Sequence, residues 1–163
     1  MKYNKSILIQ KLIDHEGLVL QVYKDTLGID TIGIGRNLED RGITDEELED
    51  MNIPDIDHVY QFGITEADAI LLAENDVEIV ENELLAAHPC VDRLDAVRQL
   101  VLVDMAFNMG VPRLRKFKKM WAAIHNEDFS TASKEMLDSR WANQVKSRST
   151  KLAHAMYSGE MNG

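Results

Sequence analysis

The stretch EGLVLQVYKDTLGIDTIGIG, residues 16–35, decides the fold because the spacing of apolar residues changes within it. Before it, residues 4–16 repeat Leu and Ile at the spacing of an amphipathic helix. Within it, residues 18–23 and 29–35 are rich in Val, Ile, Leu and Tyr, which favour strands. Gly28 lies between these two segments and tolerates the positive φ of a tight turn. The sequence therefore predicts a helix followed directly by a β-hairpin.

Helical patterns dominate the rest of the chain. Apolar residues at 3–4 spacing predict one long helix, and an almost uniformly apolar segment predicts a buried central helix. A capping box at 44–47 opens a short acidic helix, and further helices are predicted at about 65–87, 94–109, 114–125, 130–141 and 148–157, with a loop at 36–43 and an irregular piece at 54–63. A small sheet followed by many helices places the chain in the α+β class.

The length of 163 residues predicts a single domain with two lobes. We expect an N-terminal lobe at about 14–64, which contains the hairpin, and a connecting helix at about 65–87. A helical C-terminal lobe then occupies about 92–163, with the first helix, 4–16, packing on it.

The formal net charge of −10 comes from 18 Lys and Arg against 28 Asp and Glu. This balance opposes nucleic-acid binding, which needs a positive surface to displace counterions from phosphates. The charge is uneven, because residues 38–92 hold one basic and seventeen acidic residues, whereas residues 93–163 hold twelve basic and seven acidic. The C-terminal lobe, at +5, is therefore compatible with an anionic substrate.

Several classes of protein are disfavoured by what the sequence contains. The single cysteine, Cys90, cannot form an internal disulfide. The short apolar run at 7–9 does not predict a signal peptide, and no apolar stretch predicts a membrane span, so we expect a soluble cytosolic chain. The five histidines lack metal-ligand spacing, so we expect no metal and no cofactor.

Three polar residues of the opening stretch each have an ordinary structural explanation when taken alone. Glu16 can be a solvated residue at the helix end, Asp25 a turn former and Thr31 a β-branched strand residue. A hairpin that follows directly on a helix can, however, fold its turn back over the helix end. The three side chains would then share one cleft, with two carboxylates and a hydroxyl to orient water.

Two carboxylates beside a cleft are the minimal equipment for glycoside hydrolysis. The end of a helix disfavours negative charge, and partial burial adds to this effect, so both favour the protonated form of Glu16. A protonated carboxyl is what a general acid requires. This pattern makes Glu16 the candidate acid and Asp25 the candidate base.

The motif Glu16-Gly17 … Tyr23-Lys24-Asp25-Thr26 … Thr31-Ile32-Gly33-Ile34-Gly35 resembles the signature of the phage-type lysozymes, the muramidases of glycoside hydrolase family 24. Residues 94–98, 105–110 and 139–148 are also similar to that family, so the resemblance covers most of the chain. It implies a lysozyme-like α+β fold. It also implies hydrolysis of the β-1,4 bond between N-acetylmuramic acid and N-acetylglucosamine in peptidoglycan.

The resemblance also implies roles for individual residues. Glu16 would donate the proton, Asp25 would polarise the attacking water, and Thr31 would help to hold that water in an inverting reaction. Arg148 would pair with the catalytic Glu. The positions that match sugar contacts are Asn37, Phe107 and Asn108, although the apolar character of Phe107 alone favours a core position.

Some positions depart from the family pattern. Arg36-Asn37 stands where a His and an apolar residue are usual, which alters an ion pair and affects the sugar contact expected at Asn37. Two positions of the cleft in the C-terminal lobe fall on Met120 and Glu135. The basic run at 113–119 fits either a solvated helix face or a contact with anionic wall polymer.

The biological role that the resemblance implies is that of an endolysin acting on bacterial peptidoglycan. We expect a monomer without membrane insertion, made in the host cytoplasm and released to the cell wall through a holin pore. Two alternatives stay open: a virion-associated lysozyme that opens the wall during infection, and a non-catalytic lysozyme-like module that binds glycan.

Overall fold

The computed structural model describes residues 1–161 and has the predicted α+β architecture. Helices predominate, and one small antiparallel sheet has the strand order β1-β2-β3. In chain order the elements are α1 Lys5–Glu16, β1 Val19–Lys24, β2 Asp30–Gly33, β3 Arg36–Asn37, α2 Asp45–Asp50, α3 Ile56–Phe62, α4 Glu66–Ala87, a 3₁₀ helix Pro89–Arg93, α5 Ala96–Met109, α6 Val111–Leu114, α7 Lys118–His125, α8 Phe129–Leu137, α9 Arg140–Val145 and α10 Ser147–Ser158.

The chain forms two compact units, one spanning Lys5–Asp76 and the other Met1–Asn4 together with the chain from Val77 onward. The division falls inside α4, the predicted connecting helix. The first helix, α1, belongs by its contacts to the N-terminal unit. The packing of this helix on the C-terminal lobe stays a prediction.

The predicted hairpin is confirmed, with β1 and β2 antiparallel and Tyr23 opposite Thr31. A register irregularity lies between Val19 and Tyr23. The third strand, β3, was predicted as loop, and that prediction was wrong. It is only two residues long and polar, so it has no alternating pattern, yet it pairs with β2 through Thr31 opposite Asn37.

The helix α3 lies in a segment that we had predicted to be irregular. The Asp55 side chain caps its first turn by accepting a hydrogen bond from the His58 amide, and Gly63 ends it at a φ of 74°. Behind the sheet and these short helices lies an apolar core, whose buried members are Ile32, Leu48, Met51, Ile53, Val59, Ile64, Ala69 and Leu72. This core fixes the sheet that carries the candidate acid–base site.

The C-terminal unit surrounds α5, whose residues from Gln99 to Ala106 are all buried, as the uniformly apolar pattern predicts. The helix α10 packs against α5 and α8, and α8 packs against α7. The predicted helix at 130–141 is in fact two helices, because the Ser139 hydroxyl caps a new one by accepting from the Ala142 amide. The helix predicted at 114–125 begins later, as α7 at Lys118, and its first predicted residue, Leu114, is the last residue of α6.

A buried ion cluster ties β3 to the helices of its own unit. Arg36 is 2 % exposed, and its guanidinium donates to both carboxylate oxygens of Glu47, at 3.0 and 2.8 Å. It also donates to Asp76 at 3.0 Å and to the carbonyl oxygens of Gly42 and Leu72. The residue that departs from the family pattern therefore anchors the edge strand by side-chain hydrogen bonds.

The cluster predicts a specific acid sensitivity. Burial opposes ionisation of Glu47, but hydrogen bonds from Arg36, Asn75 and Thr44 outweigh it and lower its pKa to about 2. A lowered carboxyl pKa stabilises the fold above the usual value of about 4.5, and this stabilisation is lost as the pH falls towards 2. Burial raises the pKa of Asp76, so the contribution of this carboxyl to the pH dependence of stability has the opposite sign. Between pH 4.5 and 2.5, the free energy of unfolding should therefore fall less for Glu47→Gln protein than for wild type. Urea titrations at each pH would measure this free energy. An equal decrease in the two proteins over this pH range would contradict the prediction.

Candidate active site

Glu16 lies at the last residue of α1, where the chain turns into the sheet. Gly17 ends the helix at a φ of 84°, and its amide donates to the Ile13 carbonyl at 2.9 Å. The Glu16 side chain is half-buried and lies against the backbone of Gly35, so that a Cβ placed on Gly35 would be 3.6 Å from Glu16 Oε2. The carboxyl thus lies beside the turn that joins β2 to β3, whereas the predicted folding of the 25–28 turn over the helix end stays a prediction.

Asp25 begins the hairpin turn, and its orientation is set by the backbone of that turn. Its Oδ1 accepts hydrogen bonds from the amides of Leu27 at 2.8 Å and Ile29 at 2.9 Å. Gly28, at a φ of 78°, donates its amide to the Asp25 carbonyl and closes the turn. One carboxylate oxygen is therefore structural, as expected for a turn aspartate, and Oδ2 is the oxygen suited to act on water.

Thr31 is buried in the middle of the sheet, with 4 % of its surface exposed. It faces Tyr23 on β1 and Asn37 on β3. Because directly opposed residues of antiparallel strands project to the same side, these three side chains form one row on one face of the sheet. The Thr31 hydroxyl donates to the Ile29 carbonyl at 2.9 Å, so its oxygen can hold a water only by accepting a hydrogen bond.

Tyr23 lies near both carboxylates, and sequence reasoning assigned it no role. Its pKa is raised by burial and, in addition, by the negative charges of Glu16 and Asp25. Both carboxylates therefore lie within electrostatic range of one phenol, which itself faces Thr31. Glu16 and Asp25 thus lie near a phenol that is paired across the hairpin with Thr31. The pairing of Tyr23 with Thr31 depends on the register irregularity in β1, and no residue pattern predicts that irregularity.

Asn37 is partly engaged by its own loop. Its Oδ1 accepts from the amides of Glu39 and Asp40, each at 2.8 Å. A sugar contact at this position would therefore use the Nδ2 group, which could only donate. The predicted role of Asn37 in binding substrate stays a prediction.

The other predicted sugar contacts lie in the last turn of α5, in the C-terminal unit. Phe107 is half-buried, and Asn108 is exposed. The Asn108 Oδ1 accepts a hydrogen bond of 2.9 Å from the indole nitrogen of Trp141, which is almost completely buried. This bond joins the end of α5 to α9, so Asn108 has a structural role whether or not it also contacts substrate.

Arg148 lies in a buried ion pair inside the C-terminal unit. Its guanidinium donates to Asp104 Oδ1 from Nε at 2.9 Å and lies 2.7 Å from the same oxygen through Nη2. Asp104 is fully buried on α5, within a run of apolar residues where sequence reasoning did not single it out. A pairing of Arg148 with Glu16 stays a prediction.

Within residues 1–161, no group of three or more His, Cys, Asp or Glu side chains is arranged to hold a metal ion. In the same part of the chain, no helix combines the length and apolar character needed to cross a membrane.

Comparison with known proteins agrees with this architecture. Residues 13–154 match the phage lysozyme family. Probable T4-type lysozyme 1 of Dictyostelium discoideum is 29 % identical over 156 residues, covering 90 % of this chain and 91 % of its own. Probable T4-type lysozyme 2 of the same organism is 27 % identical with the same coverage. The pre-baseplate central spike protein Gp5 of Enterobacteria phage T4 is 29 % identical, covering 90 % of this chain and 27 % of its own. The chain belongs to the phage lysozyme family, whose members are glycosidases acting on peptidoglycan.

Proposed function

We propose that this lysozyme hydrolyses the β-1,4 bond between N-acetylmuramic acid and N-acetylglucosamine, with Glu16 and Asp25 as its acid and base. The observation that carries the proposal is that Glu16 and Asp25, in one unit of the chain, both lie within electrostatic range of Tyr23, which is paired across the hairpin with the buried Thr31. Family membership supplies the substrate class. The arrangement supplies the two carboxylates that such a reaction needs.

In the proposed reaction Glu16 transfers its proton to the glycosidic oxygen as the bond from that oxygen to the anomeric carbon breaks. A water attacks the same carbon from the opposite face of the sugar. Asp25 Oδ2 accepts a proton from this water, and the Thr31 oxygen accepts its second hydrogen as a hydrogen bond. One water is consumed, and the two chain ends become a reducing sugar and a free hydroxyl.

The turn bonds of Asp25 make an isosteric test possible. In Asp25→Asn the amide oxygen can still accept from the Leu27 and Ile29 amides, while the negative charge that polarises water is lost. We expect hydrolysis to fall by about 10²- to 10⁴-fold, the usual contribution of a general base, with an almost unchanged melting temperature. Dye release from labelled sacculi and circular dichroism would measure the two effects. Full activity in a folded Asp25→Asn protein would remove Asp25 from the mechanism.

An inverting course predicts the configuration of the first product. Direct attack by water on a β-linked sugar yields the α anomer, whereas a covalent enzyme intermediate would return the β anomer. Proton NMR of a soluble glycan fragment, recorded before mutarotation, should therefore show the α-anomeric signal first. If the β anomer appeared first, Asp25 would act as the nucleophile and not as the activator of water.

For the biological role we propose an endolysin, made in the host cytoplasm and acting on the cell wall after release through a holin. A virion-associated lysozyme is the second candidate, because the similarity to the Gp5 central spike protein favours it. We propose that the protein acts as a monomer, since both catalytic carboxylates come from one unit of one chain. Co-expression tests the endolysin role: the protein should lyse cells only together with a holin. Its recovery in washed virions would favour the second candidate.

The catalytic proposal is tested directly by the clearing of Gram-negative cells whose outer membrane has been permeabilised. Wild-type protein should reduce the turbidity, and Glu16→Gln protein should not. A wild-type protein that binds cells without clearing them at any salt concentration would support the non-catalytic glycan-binding alternative.

A further inference from the structure

The turn that carries Asp25 has little packing of its own. Thr26, Leu27 and Gly28 are exposed, and Leu27 exposes 81 % of its surface. The hydrogen bonds inside the turn orient Asp25 relative to the turn, but they do not fix the turn relative to the rest of its unit. A displacement of about 1 Å can cost a catalytic group about a hundredfold in rate. A general base at this position therefore requires support from outside the turn.

Asp30, the first residue after the turn, supplies such support. It lies opposite Lys24 in the hairpin, and the Lys24 ammonium donates to its Oδ1 at 2.5 Å. The Tyr60 hydroxyl donates to its Oδ2 at 2.8 Å. The Asp30 amide donates to Glu39 Oε2 at 2.6 Å, and its carbonyl accepts from the Leu38 amide at 2.8 Å. This Asp30 cluster, made of Lys24, Asp30, Glu39 and Tyr60, joins β1, α3 and the loop after β3 at one residue.

Tyr60 connects the Asp30 cluster to the apolar core. It lies on α3, next to Val59, which is completely buried in that core. The helix packs against β1, and the Gln21 side chain donates to the Phe62 carbonyl at 3.1 Å. The Tyr60 hydroxyl is therefore presented by a helix that the core and the sheet already hold. Its bond to Asp30 fixes the end of the hairpin relative to both.

Ile29 connects the Asp30 cluster to Asp25. Its amide donates to Asp25 Oδ1 at 2.9 Å, and its carbonyl accepts from the Asp25 amide at 3.0 Å. The backbone of Ile29 thus contacts both the side chain and the main chain of Asp25. Asp30 follows Ile29 directly and Lys24 precedes Asp25 directly, so the cluster holds the chain on both sides of the turn.

We propose that Asp30 and Tyr60 are positioning residues for hydrolysis, which act by holding the Ile29 backbone and, through it, the Asp25 carboxylate. The inference rests on the proposed function, since it takes Asp25 as the base. The hydrogen bonds from Lys24 and Tyr60 hold the pKa of Asp30 below its usual value, so both of its oxygens accept at neutral pH. The competing explanation is that the cluster only stabilises the fold, in which case its loss would not act through Asp25.

The first part of the test separates turnover from binding, with a soluble peptidoglycan fragment as substrate. Asp30→Ala removes both side-chain acceptors and should lower kcat about tenfold, with KM within about twofold of wild type. Tyr60→Phe keeps the ring but loses one bond, and Asp30→Asn keeps one acceptor oxygen, so each should lose only about threefold. The matched controls are Asp50→Ala and Tyr157→Phe, which change an exposed aspartate and an exposed tyrosine outside the cluster. Circular dichroism confirms that each protein is folded at the assay temperature.

The second part repeats Asp30→Ala in an Asp25→Asn background. If the cluster acts by placing the Asp25 charge, its loss should cost less than about twofold once that charge is absent, since coupled residues are not additive. A tenfold loss in both backgrounds, or a loss that appears in KM and not in kcat, would overturn the inference.

The third part does not depend on hydrolysis. The Leu27 and Ile29 amides donate to Asp25 Oδ1, so their hydrogen exchange reports how often the turn opens. In Asp30→Ala both should exchange about tenfold faster, while the Gly17 amide, in the same unit, exchanges as in wild type. Unchanged exchange at Leu27 and Ile29 would overturn the inference. An Asp25→Asn protein with the wild-type rate would instead refute the proposed function, and the exchange result would still show whether the cluster holds the turn.

Discussion

Glu16→Gln is expected to lower the rate of peptidoglycan hydrolysis by about 10³- to 10⁴-fold, near the upper end of what a general acid contributes. Glutamine keeps the shape of the side chain against Gly35 but has no proton to give to the leaving oxygen. Cleavage of a glycosidic bond without that proton would expel an alkoxide. The initial rate of dye release from labelled sacculi, at several enzyme concentrations, measures the loss.

The fold should survive this change, because Glu16 is half-buried and the capping of α1 depends on Gly17. The matched control is Glu78→Gln, an exposed carboxylate on α4 that should leave the rate within about twofold of wild type. A Glu16→Gln protein that keeps a tenth or more of the wild-type rate would show that another group protonates the leaving oxygen.

Arg36→Met is expected to reduce the free energy of unfolding by about 3–5 kcal/mol, the usual cost of removing one partner from a buried ion pair. The substitution leaves Glu47, with its side chain 5 % exposed, without its bidentate partner. It also removes the hydrogen bonds that hold β3 to the Gly42 and Leu72 carbonyls. Guanidinium titration followed by circular dichroism would measure the effect.

Arg41 provides the control for this prediction. It also pairs with Asp76, at 2.6 Å, but its side chain is 30 % exposed. This pair is partly buried and less enclosed than the contacts of Arg36, so Arg41→Met should lose clearly less stability than Arg36→Met. Equal losses in Arg36→Met and Arg41→Met would mean that net charge near the acidic segment, and not the buried geometry, stabilises this unit.

Local signals predicted most of the secondary structure. The helix–hairpin order, the capping box at Thr44 and the long helix all follow from patterns within a few residues, and the structure confirms them. The short strand β3 could not be predicted, because Arg36 is held there by partners 6 to 40 residues away. The division between α8 and α9 was predictable from Ser139, a good N-cap residue, but the continuous apolar spacing obscured it.

The candidate site was predictable only where local patterns of residue type and spacing carried the information. Residue type and spacing pointed to Glu16, Asp25 and Thr31, which contribute polar groups at the helix end, the turn and the returning strand. Tyr23 was not assigned because its place opposite Thr31 depends on an irregularity of the strand register. The burial of Asp104 with Arg148 was also invisible, since it joins residues 44 positions apart.

The most direct test of the central claim is the chemical identity of the ends that the enzyme creates. Purified sacculi are digested, and the soluble products are reduced with borohydride and analysed by mass spectrometry. The proposed reaction cuts after N-acetylmuramic acid, so it predicts N-acetylmuramitol as the new reduced end, with wild-type protein and not with Glu16→Gln. N-acetylglucosaminitol ends, or new peptide termini without new reducing sugar, would contradict it.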